Sequence, residues 1–531
     1  MKKIKLYILT FSLLSAGACT NDFLDTESVT LVSDENYYST TKNVYSALVG
    51  CYDGLQTVWA GGVSLPVASE VMSDNAFGGT GNADGFNHQM MDEMDKLRSP
   101  SDVDLFGANW SAYYTAINRC NTLINRTQEK EWGTNQELIN TYIAEARFLR
   151  AYLYFDMVRL WGNIPLLTSS TTENLPQANP DDVYKVIAED LKFAKENLIS
   201  TNYAAQPATE RGRATKWAAE ALLGRVFLYY TGYYGKADLA GVVSKADALA
   251  AVEDVITNGG FSLIPDFKNL WPVAGTNYAG EDNSETVFAI KYTYTSDYNG
   301  NTDGNHWLVM TGLRGVNSFP YGAGWGAETV NPKLWSAFSD KDTRRNASIL
   351  SIEGEGVPFN ATKKADQREY TGYFMKKYIP LVDENNVSVT DPFGQKSFMI
   401  SQFADYVSIR YADVLLMAAE LGSGNAQKYF DDVRKRAYKT NFTSLGVTQD
   451  NIMKERRFEF VGEGLRYWDL LRQGVSVAAG TIAETTTVLN GGVSTAKTIS
   501  AANFNTTKGL QQIPNTQITL SNGVLKQNAG W

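Results

Sequence analysis

The sequence predicts a mainly α-helical fold, made of repeated helical hairpins with an inserted region of loops and short strands. The repeats are visible in two segments, AEARFLRAYLYF from Ala144 and AEALLGRVFLYY from Ala219, which share one order of small, charged and aromatic residues. Each segment is followed by a second helical pattern, from Asp181 and from Ser244. Because the whole order recurs, the repeating unit is a pair of helices.

Further helices complete the predicted scaffold. A third, more divergent pair begins at Tyr406 and Ala426, and residues 455–472 predict one more helix. The charged side chains of that last helix stand three or four residues apart, so we expect ion pairs on a solvated face. Gly462 and Gly464 within it indicate close packing or a local bend. Helical hairpins of this length resemble tetratricopeptide units, which stack to bury faces that a single unit leaves exposed.

The pattern changes between residues 261 and 400. Residues 292–325 interleave tyrosine and tryptophan with glycine, asparagine and aspartate, which predicts short strands and long loops. A similar loop, residues 73–89, interrupts the N-terminal helices. Loops of this length on a rigid scaffold usually carry function. The chain after about residue 476 is polar and has little helical signal.

The N-terminus predicts export and a lipid anchor. Three lysines precede an apolar segment, residues 6–14, that is too short to span a bilayer. Ala16, Gly17 and Ala18 fit an ordinary signal cleavage site, and Cys19 follows where a lipoprotein carries its acyl chains. Both processing routes cut after Ala18. We expect lipid on Cys19, because a bare terminal thiol would be reactive; an unmodified Cys19 would instead indicate a secreted or periplasmic protein.

Charge and cysteine content limit the partners and cofactors. Removing residues 1–18 takes away three of 48 basic residues and none of 58 acidic ones, so the net charge becomes −13, which argues against a nucleic-acid partner. For Cys51 and Cys120 we expect buried free thiols, with a bridge between them as the alternative. The sequence has two distant histidines and no phosphate-loop or metal-ligand motif, so we expect no cofactor and no metal.

The aromatic-rich loops predict a carbohydrate site, because sugar rings stack on aromatic faces while their hydroxyl groups need polar partners. The candidate ligand-binding residues are Asn75, Phe77, Asp84, Tyr298, Asn299, Asp303, Trp307, Arg314, Tyr321 and Trp325. We expect Trp307→Ala or Trp325→Ala to weaken glycan binding and to leave the thermal transition nearly unchanged. The alternative is a helical glycoside hydrolase, which needs two carboxylates about 5–10 Å apart in one cleft. No sequence feature establishes such a pair, so we expect no catalytic residue.

Six stretches, in order, resemble the SusD-like (SusD/RagB) family of outer-membrane nutrient-binding lipoproteins. They are CTNDFLDTES, AEARFLRAYLYFDMVRLWGNIPLL, EDNSETVFAIKY, IRYADVLLMAAE, ERRFEFVGEGLRYWDLLR and IPNTQITLSNGVLKQNAGW. The resemblance runs from Cys19 to Trp531. It implies a tetratricopeptide-like scaffold with a loop-rich ligand site, no enzymatic activity, and a surface-exposed, lipid-anchored position on the cell outer membrane.

The resemblance also implies a partner, a SusC-like TonB-dependent transporter, over which the protein acts as a hinged lid that captures oligosaccharide or polysaccharide. A peptide-binding member of the same family is the alternative, although peptide sites use backbone contacts and fewer stacked aromatics. The expected parts of the chain are a lipoprotein signal peptide (1–18), a tether (19–35), an N-terminal helical-repeat region (36–260) with an inserted loop (73–110), a loop-rich ligand-binding region (261–400), a C-terminal helical-repeat region (401–475) and an irregular tail (476–531).

Overall fold

The computed structural model describes residues 37–98, 104–273, 277–297, 299–393 and 397–531. The expected signal peptide, the tether and the lipid site Cys19 lie outside the described residues. The first described part is helical. Its helices are α1 (Thr41–Thr57), α2 (Leu65–Val71), α3 (Asn87–Glu93), α4 (Gly107–Gln128), α5 (Gln136–Trp161), α6 (Pro180–Asn197), α7 (Lys216–Tyr234) and α8 (Lys245–Asn258).

The rest of the chain mixes shorter helices with strands. The helices are α9 (Leu308–Thr311), α10 (Pro332–Ala337), α11 (Arg344–Ser348), α12 (Ala361–Asp366), α13 (Tyr411–Leu421), α14 (Ala426–Tyr438), α15 (Gln449–Glu459), α16 (Arg466–Leu471), α17 (Val475–Ile482), α18 (Ala501–Thr507) and α19 (Asn515–Leu520). The strands are β1 (Ala76–Gly78), β2 (Thr286–Ile290), β3 (Leu313–Arg314), β4 (Ala323–Gly324), β5 (Glu328–Val330), β6 (Ile349–Ser351), β7 (Tyr373–Met375), β8 (Tyr406–Arg410), β9 (Glu484–Asn490) and β10 (Val493–Ile499). Within the described ranges, every helix falls short of the length and apolarity needed to cross a bilayer.

The paired helices stack side by side, which confirms the mainly helical fold class. α5 packs on α6, α6 on α7, α7 on α8 and α8 on α13, which continues the stack to α14. Local sequence sets where these helices begin. Pro180 opens α6, and the Asn179 side chain caps it by accepting a hydrogen bond from the backbone N–H of Asp181 at 3.0 Å. A capping box between Ser244 and Asp247 opens α8.

Helix α5 is the centre of the core. The sequence predicts burial of one face, yet from Ala144 to Trp161 every residue except Arg147 is buried. The cause is that α1, α4 and α6 all pack on α5, so it has neighbours on several sides. Periodicity indicates an inward face but does not reveal that a second layer covers the opposite one.

The strands join segments that are distant in sequence. The largest sheet has the order β1-β5-β7-β6 with antiparallel neighbours, so a strand of the N-terminal insertion pairs with the loop-rich region. The described part of residues 73–110, expected as an inserted loop, thus contains β1, α3 and the start of α4. β2 pairs with β8, so the helix expected from Tyr406 begins only at Tyr411. The expected irregular tail holds the β9–β10 hairpin and helices α17, α18 and α19.

The single helix expected over residues 455–472 is wrong. α15 ends at Glu459 and α16 begins at Arg466, because Gly462 and Gly464 adopt φ values of +74° and +76°. Residues other than glycine rarely adopt this backbone conformation. At Gly464 an added Cβ would lie 2.5 Å from the Cα of Pro66, so glycine also permits the approach of α2.

The expected solvated face on this segment is also wrong. Its charged side chains are buried and pair with residues from other elements. The Oε1 atom of Glu459 accepts a hydrogen bond from Arg410 at 3.0 Å and another from Arg436, while its Oε2 accepts one from Arg344 at 3.1 Å. Burial alone would raise the pKa of Glu459, but these three guanidinium groups hold it well below its usual range. The ion pairs therefore tie α15 to α11, β8 and α14.

Two further carboxyl groups, Glu70 on α2 and Glu328 on β5, are buried and interact with each other electrostatically. Glu70 accepts hydrogen bonds from the Asn75 side chain at 2.8 Å and from the backbone N–H of Gly464 at 3.1 Å. Among the described residues, Oε1 of Glu328 has no hydrogen-bond partner. Burial raises the pKa of Glu70 to about 7, and burial together with the nearby Glu70 raises the pKa of Glu328 well above its usual range. Both groups therefore favour the protonated form in the folded state.

This pair makes stability depend on pH. Because the folded state binds more protons than the unfolded state, we expect the free energy of unfolding to fall as the pH rises from about 5 to about 8. Glu328→Gln should make that slope smaller, while the exposed Glu384→Gln should leave it unchanged. Urea unfolding at a series of pH values measures the slope. Equal slopes in wild type and Glu328→Gln would contradict the assignment.

Candidate functional site

Three of the residues predicted to bind ligand lie in the core. Asn75 is fully buried, and its Oδ1 accepts a hydrogen bond from Arg457 at 2.9 Å. Phe77 is 1 % exposed, and Trp307 is 1 % exposed. Direct contact between these side chains and a ligand is inconsistent with their burial. Because Trp307 is buried, we now expect Trp307→Ala to lower the thermal transition.

The other predicted residues lie at separate places. Asp84 and Arg314 meet at the surface, where their side chains form an ion pair of 3.3 Å. Tyr321 is buried and its hydroxyl donates to Glu355, whereas Trp325 is half-buried against the core. The remaining residues are Asn299, which is exposed, Asp303, whose carbonyl accepts a hydrogen bond from Gln56, and Tyr298, which lies outside the described residues. The candidates therefore do not form one continuous site.

A cavity in the loop-rich region offers a better-formed site. We call it the Trp271 cavity; its volume is about 140 Å³. It is smaller than typical small-molecule pockets of about 300–1,000 Å³, which suits one ring of a larger ligand. Its wall includes Trp271, Tyr278, Leu308, Lys377, Tyr378, Gln402, Phe403, Asp405 and Arg410.

Aromatic rings form much of its wall. Trp271 follows a short 3₁₀ turn, Phe267–Leu270, and packs edge-on against Tyr378 with 5.5 Å between ring centroids. Tyr378 is held in place by its hydroxyl, which accepts a hydrogen bond from the backbone N–H of Val407 at 3.1 Å. Tyr278 is 39 % exposed at the mouth. The cavity thus combines fixed inner rings with an accessible outer ring.

One polar atom in this wall is unpaired. Trp271 is 4 % exposed, and its indole Nε1 has no hydrogen-bond partner within the described residues. A buried N–H group without a partner costs about 1–3 kcal/mol. The Nε1 atom has almost no accessible surface, so an acceptor oxygen from a ligand would remove that cost after a small shift of the neighbouring side chains. The indole therefore favours a ligand that carries hydroxyl or carbonyl oxygens.

The cations of the cavity are already paired. Lys377 donates to Oε1 of Glu463 at 2.5 Å, and Arg410 donates to both oxygens of Glu463 at 2.8 Å. Burial lowers the pKa of Lys377 to about 8, although Glu463 opposes that shift. Because both cations are paired with Glu463, they stabilise the fold and have little free charge for binding an anionic ligand.

Two carboxyl groups supply the remaining polarity. Oε1 of Glu281 accepts a hydrogen bond from the backbone N–H of Asp405 at 2.9 Å, and the Asp405 carboxylate pairs with Lys291. Burial, followed by the charge of Asp405, raises the pKa of Glu281 to about 8. The raised pKa favours the protonated form of the Glu281 carboxyl, whose side chain hydrogen-bonds to that of Asp405. Such a mixed set suits the hydroxyl groups of a sugar.

Sequence reasoning missed Trp271, Tyr278 and Phe403. The density of aromatic residues predicts the ligand site within residues 292–325, and Trp271 precedes that segment in the sequence. Trp271 and Phe403 are 132 positions apart and come together only because β2 pairs with β8. The available signal was weaker: the segment NLWP, with tyrosine and asparagine soon after it, lies in the predicted loop-rich region.

Comparison with known proteins decides the family. A model of the SusD family matches residues 350–531, and a second family model, described as "Starch-binding associating with outer membrane", matches residues 22–228. The chain belongs to the SusD family. Its SusD-like relatives include protein P2 of Formosa agariphila, 26 % identical over 89 % of this chain and 91 % of the relative, and a protein of Bacteroides ovatus, 27 % identical over 88 % and 82 %.

Solved structures agree with this SusD assignment. Surface glycan-binding protein A from Bacteroides fluxus superposes with a TM-score of 0.75 at 25 % identity, covering 93 % of this chain and 100 % of that protein. A laminarin binding SusD-like protein superposes with a TM-score of 0.72 at 26 % identity and the same coverage. The SusD fold is thus confirmed over nearly the whole chain. The names of these two neighbours describe them as glycan-binding and laminarin-binding proteins.

Proposed function

We propose that this SusD-family protein binds a glycan at the cell surface and passes it, unchanged, to a SusC-like TonB-dependent transporter in the outer membrane. The names of its structural neighbours, a surface glycan-binding protein and a laminarin binding protein, support the ligand class. The family description supports an association with the outer membrane. Lipid on Cys19 would hold the protein there, and mass spectrometry of its N-terminal peptide tests that anchor.

The observation that carries the ligand site is the unpaired indole N–H of Trp271 in an aromatic cavity. One sugar ring would occupy the cavity, accept the hydrogen bond from Trp271 and meet Glu281 and Asp405 through its hydroxyl groups. The remaining rings of the oligosaccharide would lie outside, where Tyr278 exposes 39 % of its surface. Stacking on such rings contributes without requiring a charged ligand.

The members of the sequence-based set that are exposed or half-buried are proposed as outer contacts for a longer glycan. They are Asp84, Asn299, Asp303, Arg314 and Trp325. Arg314 is the best placed of them, since it bridges two loops through ion pairs with Asp84 and Asp366 at 3.3 and 3.2 Å. A sugar hydroxyl could replace part of either ion pair at little cost, because both carboxylates are near half exposed.

The test removes the donor while keeping an aromatic ring. We expect Trp271→Phe to weaken binding about tenfold, which corresponds to the loss of one hydrogen bond of about 1.4 kcal/mol. Isothermal titration calorimetry with a laminarin oligosaccharide is the first measurement, followed by any glycan that binds in a panel. Trp335→Phe is the matched control, because Trp335 stacks on Tyr373 instead of lining the cavity.

The ligand site, the ligand class, the passage without chemical change and the transporter partner would each be contradicted by a different result. Unchanged affinity in Trp271→Phe with reduced affinity in Arg314→Ala would move the site to the loop surface around Arg314. Failure to bind any glycan of the panel would overturn the ligand class. Release of new reducing ends from a bound glycan would contradict passage without chemical change. Absence of a TonB-dependent transporter from the protein purified out of its native membrane would contradict the partner.

A further inference from the structure

The two remaining cysteines, Cys51 on α1 and Cys120 on α4, lie in a part of the core that the ligand site does not use. Both are fully buried, and the two sulfurs are not bonded to each other in the structure. Nothing in the proposed binding function requires a thiol at either position. Their mutual position nevertheless follows from the way the two helices pack.

Helices α1 and α4 run antiparallel, as three contacts show. The backbone carbonyl of Val58 accepts a hydrogen bond from Asn109 at 2.8 Å, the first contact along α4. Further along α4, Ala116 lies opposite Gly54, and Arg119 reaches back to the carbonyl of Gly50 at 2.8 Å.

The register of these contacts brings the cysteines together. Because the helices are antiparallel, residue numbers decrease along α1 in the direction in which they increase along α4. One helical turn from the contact between Gly54 and Ala116 therefore leads to Cys51 on α1 and to Cys120 on α4. A Cβ added at Gly54 would lie 2.9 Å from the Cβ of Ala116, so the glycine allows the helices to approach closely at this point. The Cys51 thiol contacts Cys120, and this contact together with burial raises the pKa of Cys51.

We propose that Cys51 and Cys120 are a site of oxidative cross-linking, and that they form an intramolecular disulfide between α1 and α4 when the chain folds in an oxidising compartment. A disulfide needs a short Cα separation of about 4.4–6.8 Å. The contact between the two thiols and the close approach of the helices at Gly54 point to such a separation. Free thiols remain the form expected in a reducing compartment. This inference is independent of the glycan-binding proposal.

The chemistry is thiol–disulfide exchange with an external disulfide as the oxidant. One cysteine thiolate attacks a sulfur of that oxidant, and the oxidant's other sulfur leaves as a thiolate. The second cysteine thiolate then attacks the sulfur of the first cysteine in this mixed disulfide, and the remaining half of the oxidant leaves as a thiolate. Two protein thiols lose two protons and two electrons, and the oxidant becomes two thiols. Because both cysteines are fully buried in the fold, exchange takes place before α1 has packed on α4.

The direct test is peptide mass spectrometry on the full chain. The protein is refolded with oxidised and reduced glutathione, then unfolded in guanidinium with iodoacetamide and no reductant. After trypsin, we expect residues 120–126 to be linked to the peptide that contains Cys51, with a mass two hydrogens below the sum of the free peptides. Full alkylation of both cysteines would overturn the proposal.

A stability measurement provides a second, independent outcome. The link would close about 70 residues of chain, a loop length for which a disulfide normally stabilises the fold. We expect reduction to lower the thermal midpoint of wild type by a few degrees. The double variant Cys51→Ala with Cys120→Ala should show the same midpoint with and without reductant. A wild-type midpoint that does not respond to reductant would count against the link.

Discussion

Glu459→Gln is expected to destabilise the protein by about 3–5 kcal/mol, and the variant will fold poorly in a host at 37 °C. Glu459 is fully buried and accepts hydrogen bonds from Arg344, Arg410 and Arg436. Glutamine has the same size but no charge, so these guanidinium groups lose their common counter-ion without gaining water. Guanidinium chloride unfolding followed by far-UV circular dichroism measures the difference.

The control is an exposed ion pair. Lys428 and Asp432 lie 2.6 Å apart on α14, with 68 % and 31 % of their side chains exposed. We expect Asp432→Asn to change the free energy of unfolding by less than about 0.5 kcal/mol, because solvent screens this pair. Similar losses in Glu459→Gln and Asp432→Asn would contradict the buried-network interpretation.

Trp307→Ala is expected to cost about 3–5 kcal/mol, the usual range for removing a buried tryptophan. The indole packs against Trp59, Tyr378 and Tyr406 with ring centroids 5.6–6.3 Å apart, and its Nε1 donates to the Tyr292 hydroxyl at 3.3 Å. Alanine would leave a cavity that these fixed rings cannot fill. Chemical unfolding measures the loss.

Trp325→Ala is the comparison, since Trp325 is only half-buried and should lose clearly less stability. Trp307 also supports the Trp271 cavity from behind, through Tyr378. Weaker glycan binding by Trp307→Ala would thus come with a lower unfolding free energy, unlike the change in Trp271→Phe. Wild-type stability in Trp307→Ala would show that the core packing around this residue is wrong.

The part of the fold that the sequence predicts is the part set by local periodicity. The repeated pattern from Ala144 and Ala219 predicts α5 and α7, and the helical patterns from Asp181 and Ser244 predict their partners α6 and α8 to within one residue of their observed starts. β1 and β8 were missed because each is short and gains its stability from a strand far away in sequence. Gly462 and Gly464 indicated close packing or a bend, but the residue type alone does not reveal that the helix ends between α15 and α16.

The candidate site was harder to predict because its residues share no segment. Aromatic density correctly indicated the loop-rich region but did not distinguish an indole that fills the core, Trp307, from one that lines a cavity, Trp271. The same limit applies to charge. The spacing of Glu455 and Glu459 is that of a surface helix, and only the positions of Arg344 and Arg410, distant in sequence, make it a buried network.

The buried ion pairs of Glu459 also bear on how the molecule moves. They connect α14 and α15 with β8 and with α11 of the loop-rich region, so separating these parts would expose several unpaired charges at once. These parts are therefore expected to unfold in one cooperative transition and not to bend against each other. If the protein opens and closes above a transporter, it would swing as one rigid body, with the pivot outside the folded core.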